Sequence, residues 1–154
     1  RYGEHENAIA EAERAIDMEP NEPENHVQMS YSLIMAGRPG EAIGFLKSAM
    51  RLDPHYPAYY LFILGLAHFA LEEYEEAVSL LERAYTRNPE YNRPLLFLGA
   101  AYAHLGREKE AREALYELGK GVVRLSAVMY RWPFKDTEVS SRLADGLRKA
   151  GISE

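Results

Sequence analysis

The chain is expected to be all-α: an array of paired antiparallel helices, closed by capping helices at its C-terminal end. Three recurrences carry that expectation. Ala8, Ala42, Ala77 and Ala111 follow one another at steps of 34, 35 and 34 residues, and Ala15, Ala49 and Ala84 keep the same step until Leu118 breaks it. Pro20, Pro54 and Pro89 recur in phase, with Val123 at the next position. Leu64-Gly65 and Leu98-Gly99 fall in register, with Met29-Ser30 as the weaker counterpart.

Each recurrence has a physical reason. Two helices of a hairpin approach closely only where side chains are small, and a bulky residue there overpacks the contact by roughly 1–3 kcal/mol. Gly65 and Gly99 are expected on one side of such contacts, with Ala42, Ala77 and Ala111 on the other. A proline lacks the amide that a continuing helix needs and restricts the residue before it, so each second helix ends ahead of Pro20, Pro54 or Pro89. One hairpin cannot bury its apolar face alone. Stacked hairpins can, which makes a superhelix of nearest-neighbour contacts.

Taken in order, residues 1–20 read as the back half of a repeat. Gly3 suits the turn before it, and Ala8, Ile9, Ala12, Ala15 and Ile16 follow at helical spacing. The missing first helix implies further repeats or another domain upstream of Arg1. Residues 21–56 form the next repeat, with Pro23 and Pro39 in the first turns of its helices and Gly37 between them. Residues 57–91 form the third, entered through the stiff link Asp53-Pro54-His55-Tyr56-Pro57. Glu72 stands there in place of a turn glycine, which predicts a different turn. Residues 92–121 form the fourth, with Asn92 as the expected N-cap and Gly106 at the turn.

Residues 122–154 leave the period. Val122–Tyr130 is a short apolar segment expected to pack on the fourth repeat. A last helix is expected from Thr137 to Ala150, with Asp136 as N-cap and a stripe of Val139, Leu143, Leu147 and Ala150. Arg148 and Lys149 suit the negative end of its dipole, and Gly151 its stop. This segment is the expected cap of the array.

The period and residue types resemble the tetratricopeptide repeat. The resemblance covers roughly residues 3–121 and implies a protein-interaction role. The tail Trp132-Pro-Phe-Lys-Asp136, followed by Leu143-Ala-Asp-Gly-Leu-Arg-Lys-Ala-Gly151, is similar to the end of the tetratricopeptide region in many bacterial class III adenylate/guanylate cyclases. That second resemblance covers about 20 residues. It implies a regulatory part of a cyclic-nucleotide signalling enzyme whose catalytic domain precedes the repeats. The alternative is an adaptor in an unrelated assembly.

Composition narrows the function. There is no cysteine, so no disulfide or thiolate chemistry, which fits the cytoplasm. No apolar run is long enough to span a membrane. The net charge of −6 argues against nucleic acid as partner. The charge is uneven: residues 1–91 hold 16 acidic and 7 basic side chains, whereas residues 92–154 hold 8 and 11. Such polarity orients a partner or a second copy of the chain.

No catalytic set is legible. His5, His26, His55, His68 and His104 lie at no metal-ligand spacing, and His68 occupies a packing position. Glu72-Glu73-Tyr74-Glu75-Glu76 reads as acids favoured at a helix N-terminus. Gly119-Lys120-Gly121 lacks the pattern of a phosphate loop. No cofactor or metal is expected, and the fragment is not expected to be an enzyme.

The family resemblance implies a concave groove lined by the first helix of each hairpin. It would place Val27, Tyr31 and Ile34 from the second repeat there, Tyr59, Phe62, Leu66 and Phe69 from the third, and Arg93, Leu96 and His104 from the fourth. Family members that grip a C-terminal carboxylate use Lys and Asn where this chain has Val27 and Tyr31, or Phe62 and Leu66, so that clamp is absent. The expected partner is an apolar or amphipathic protein segment, and a homodimer is a further expectation. Two occupants fit the groove: such a segment, or the chain's own tail with Trp132, Phe134, Leu143 and Leu147 as plugs.

Overall fold

The computed structural model describes residues 2–119, 124–132, 134 and 137–154. The elements in order are α1 (Tyr2–Met18), α2 (Pro23–Met35), α3 (Pro39–Leu52), α4 (Ala58–Ala70), α5 (Tyr74–Arg87), α6 (Pro94–His104), α7 (Glu108–Gly119), α8 (Leu125–Arg131) and α9 (Thr137–Lys149). No strand occurs among the described residues. One isolated bridge joins Arg124 to Ser153, where the Leu125 amide donates to the Ser153 carbonyl at 3.0 Å.

Helices α2 and α3, α4 and α5, and α6 and α7 pair as hairpins, and each hairpin packs on the next. The small residues sit where the sequence predicts. A Cβ added at Gly65 would come within 2.8 Å of Leu81, and one at Gly99 within 2.6 Å of Leu115. Ala42, Ala77 and Ala111 are buried on the second helices, and the Ala77 carbonyl lies 3.5 Å from the Cβ position of Gly65. At Ser30, the weaker counterpart, the buried hydroxyl donates to the Ala42 carbonyl at 2.8 Å, so its polarity is satisfied.

The three hairpin turns are alike. In each, a residue with positive φ closes the first helix: Gly37 at 83°, Glu72 at 61° and Gly106 at 76°. The following amide reaches back five residues, Arg38 to the Leu33 carbonyl, Glu73 to His68 and Arg107 to Tyr102. That bond is the mark of a Schellman closure. The expectation of a different turn at Glu72 is therefore corrected: glutamate adopts the left-handed conformation that glycine takes in the other two. The strain is of order 1–2 kcal/mol for a residue with a Cβ. Gly151, at φ 95°, ends α9 in the same way.

Two other expectations change. Gly3 lies inside α1 and not in a turn. The cap position of α6 is Arg93, with no side-chain cap; Asn92 contributes only its carbonyl, which accepts from the Leu95 amide. The apolar stripe of α9 is buried as expected at Val139, Leu143, Leu147 and Ala150. The expected cap Asp136, and Val122, Val123, Lys120 and Gly121 around the end of the repeats, lie outside the described residues.

The tail covers part of the surface formed by the first helices. Helix α9 packs on α6. At Gly146 an added Cβ would meet the Ala100 carbonyl oxygen at 2.8 Å and its Cα at 2.9 Å, so the two backbones touch there. Trp132 and Phe134 fill the space beside it, with Trp132 at 5.1 Å from Phe97 and 6.0 Å from Phe62, ring centre to ring centre.

Candidate functional site

The ten residues expected to line the groove fall into two groups. Val27, Tyr31, Tyr59, Phe62 and Arg93 share one open cleft of about 440 Å³ between α2 and α4, together with Glu24 and Tyr91. Ile34, Leu66, Phe69, Leu96 and His104 do not line it. Leu66 and Phe69 are sealed at 0% exposure, and Phe69 packs edge-on to Phe97 at 5.5 Å. Phe97 and His104 of α6 lie against Phe69 at the C-terminal end of α4. His104 donates through Nε2 to the Arg142 carbonyl at 2.6 Å and stacks on Tyr74 at 4.6 Å, so it is engaged by the tail.

Each wall of the open cleft comes from an element described above. Pro23 starts α2 and Glu22 caps it, which sets Glu24, Val27 and Tyr31 along one face at helical spacing. Pro57 caps α4 in extended backbone, and Tyr59 and Phe62 follow on the adjoining face. Tyr91 and Arg93 come from the link ahead of α6, where the Tyr91 amide donates to the Asn88 carbonyl and holds the link in place. Tyr91 meets Phe62 edge-on at 5.7 Å.

The chemistry is that of an apolar floor with a hydroxyl rim. The Tyr59 hydroxyl donates to the Glu24 carboxylate. Burial, then that hydrogen bond, pushes the Tyr59 phenol well above its ordinary range. Burial raises Tyr91 to about 12, with Arg93 pulling the other way. Tyr31 is raised for the same reason and opposed by the same arginine. All three phenols therefore stay protonated at neutral pH and present donor and acceptor capacity to a ligand. Among the described residues, no group of three or more His, Asp or Glu is placed to hold a metal ion.

Tyr91, Arg142 and Gly146 were missed by the sequence reading. Tyr91 sits in a link, outside the helical positions that the family's groove uses. Gly146 carried a usable signal, because a glycine within a helical stripe costs helix stability and marks a close approach.

Residues 1–84 match the family described as "Anaphase-promoting complex, cyclosome, subunit 3", and residues 61–121 match the family described as "Tetratricopeptide repeat". The chain belongs to the tetratricopeptide-repeat family. Two curated tetratricopeptide proteins agree. It is 31% identical over 110 residues to "Tetratricopeptide repeat protein 13" of Homo sapiens, covering 71% of this chain and 13% of that one. It is 32% identical over 116 residues to "TPR repeat-containing protein YpiA" of Bacillus subtilis (strain 168), covering 75% and 27%. The chain thus spans only a small part of the length of either relative. Among tetratricopeptide folds of known structure it is similar to MamA, with a TM-score of 0.67 at 25% identity over 96% of this chain and 87% of that one. It also shares the fold of TTC0263, a thermophilic tetratricopeptide protein of Thermus thermophilus, with a TM-score of 0.69 at 22% identity over 95% and 92%. YrrB, described as having an unusual peptide-binding site, matches at a TM-score of 0.62 and 21% identity over 96% and 77%. No described helix is long and apolar enough to cross a membrane.

Proposed function

We propose that this tetratricopeptide module docks an apolar or amphipathic segment of a partner protein in the cleft between α2 and α4, without performing catalysis. The observation that supports this most is the division of the concave face. Its own tail packs on the α6 end, and the α2–α4 end keeps a cleft rimmed by Tyr31, Tyr59 and Tyr91 above the closely packed Val27 and Phe62. Aromatic side chains with a polar tip give large contact area and a hydrogen bond from few rotatable bonds, which is why they dominate binding hot spots. YrrB, of the same fold, carries a peptide-binding site by its description, which is in keeping with this use.

The test is nuclear magnetic resonance mapping with a synthetic amphipathic helix of alternating Leu and Lys turns as probe. Shifts are expected to cluster at Val27, Tyr31, Tyr59 and Tyr91 and to vanish in Tyr31→Ala. Shifts clustered instead around the exposed Tyr116 on α7 would reject the reading.

A narrower reading rests on the tail alone. Its similarity to the ends of class III cyclases supports a place in a polypeptide with a nucleotide-cyclase domain, where the module would dock a regulator or hold a catalytic dimer. Within that tail, Trp132, Phe134, Leu143 and Leu147 are buried side chains with a packing role of their own. The coding sequence upstream of Arg1 tests this reading, and a frame with no cyclase domain rejects it in favour of an adaptor in another assembly.

A further inference from the structure

A second cleft, of about 310 Å³, lies between the start of α6 and helix α8. Arg93, Arg124 and Arg131 line it over an apolar floor that includes Leu96, Val128 and Trp132, and among the described residues no acidic one lines it. The three arginines are exposed, whereas Leu96, Val128 and Trp132 are buried. Its size is at the lower end of the roughly 300–1,000 Å³ typical of ligand pockets, which suits side-chain-sized groups.

The convergence of these cations is unusual for this chain. Of the nine other described arginines, five stand beside acids: Arg38 with Glu41, Arg107 with Glu110, Arg112 with Glu108, Arg142 with Glu72 and Glu138, and Arg148 with Asp145 and Glu154. Arg51 donates instead to the Ser48 hydroxyl, and Arg87 to the Tyr56 carbonyl. No carboxylate of the described residues pairs with Arg93, Arg124 or Arg131; Arg93 instead lies 6.0 Å over the Trp132 ring. Arg14 and Arg83 also lack an acid there, but they stand apart on α1 and α5. Like charges that share a cleft repel one another, and a bound anion relieves that repulsion. The long-range field points the same way. The half of the chain with 16 acidic and 7 basic residues turns acidic ligands away, and the half with 8 and 11 draws them in.

We propose that the α6–α8 cleft is a second docking site, adjoining the tyrosine cleft at Arg93, which takes a short acidic segment of a partner protein. Its carboxylates pair with Arg93, Arg124 and Arg131. A neighbouring apolar side chain rests on Leu96, Val128 and Trp132. The planar guanidinium fork matches a carboxylate with two parallel hydrogen bonds, which lysine cannot do.

Trp132 is the chain's single tryptophan and forms part of the wall, so its fluorescence reports occupancy. The probe is a blocked peptide of alternating Glu and Leu, compared with its Gln-Leu twin. The Glu peptide is expected to change Trp132 emission saturably, with affinity that falls as salt rises from roughly 0.05 to about 0.5 M. The Gln twin and the Arg131→Glu variant are each expected to bind about ten-fold or more weakly, a loss of about 1.4 kcal/mol. Arg131→Gln is expected to fall between, and circular dichroism of both variants to match the parent. Arg83→Glu on α5 and Tyr59→Ala in the other cleft, whose hydroxyl is held by Glu24 and not by Arg93, are expected to leave the affinity unchanged, so failure here is separable from failure of the tyrosine cleft. Equal binding of the two peptides, no binding of either, or unaltered binding by Arg131→Glu overturns the proposal. So does preference for a single-stranded oligonucleotide or a phosphopeptide, or self-association of the chain that Arg131→Glu abolishes.

Discussion

At its α2–α4 end the face formed by the first helices carries Tyr31 and Tyr59, with Tyr91 beside them from the link; at its α6 end it carries Ala100. The two ends come from equivalent first helices of successive repeats, yet one is open and the other is covered by α9. The difference teaches what decides whether a repeat surface is filled from within. Alanines let a helix come down onto α6 until Gly146 meets the Ala100 backbone, and close packing over that length buries the whole stripe of Val139, Leu143 and Leu147. Tyrosines hold a helix away and leave hydroxyls that need a polar partner, so the same surface stays a cleft.

The comparison can be broken most forcefully at Gly146. Gly146→Val places atoms where the Ala100 carbonyl and Cα already stand, and backbone cannot yield as a flexible side chain can. A loss of roughly 1–3 kcal/mol is expected from the overpacking. It should appear as a lower melting temperature, a red shift of Trp132 emission and faster proteolysis between α8 and α9. An unchanged emission spectrum would mean that α9 does not depend on this contact.

A smaller effect tests the latch between α9 and the third repeat. Arg142 pairs with Glu72 at 3.2 Å and with Glu138 at 2.9 Å, and it donates to the Ala70 carbonyl at 3.2 Å. Glu72 is thus both strained and paired. Glu72→Gly relieves roughly 1–2 kcal/mol of left-handed backbone, and it loses an exposed ion pair of about 0–1 kcal/mol. A modest net stabilisation is expected, larger in an Arg142→Gln background, where no pair to Glu72 remains to be lost. A double-mutant cycle by urea unfolding measures the difference, and identical gains in both backgrounds would show that the pair contributes nothing.

The smallest effect lies at the open end and appears only in alkali. Burial holds the Tyr91 phenol at about 12, above its ordinary 10.0. The folded state therefore keeps that proton longer than the unfolded chain does. The resulting stability is fully present below pH about 10 and is lost as pH rises through about 12. Tyr91→Phe should flatten that decline, as followed by thermal melts between these limits. A decline of the same steepness in the variant would place its source elsewhere.

Much of the array was legible because its determinants are local. The alanine and proline steps, Gly37 and Gly106 at the turns and the stripe of α9 each act over one hairpin or one helix, and each is where the sequence predicts. The groove was half legible. Helical spacing brings Val27, Tyr31, Tyr59 and Phe62 to one side. It says nothing of Leu66 and Phe69, whose burial depends on how the next hairpin leans over them.

By itself, then, the sequence determined the repeat, its helix pairing and the buried stripe of α9, because small residues and periodic apolar ones specify contacts between neighbours in the chain. The tertiary structure alone decided where that stripe goes. It seats Gly146 on Ala100, takes Arg142 across to Glu72 and draws Tyr91, Arg93, Arg124 and Arg131 to the edges of two clefts. Those contacts join residues far apart in the chain. No local period encodes them, and they follow from which surfaces the stacked hairpins leave small enough, apolar enough or charged enough to be covered.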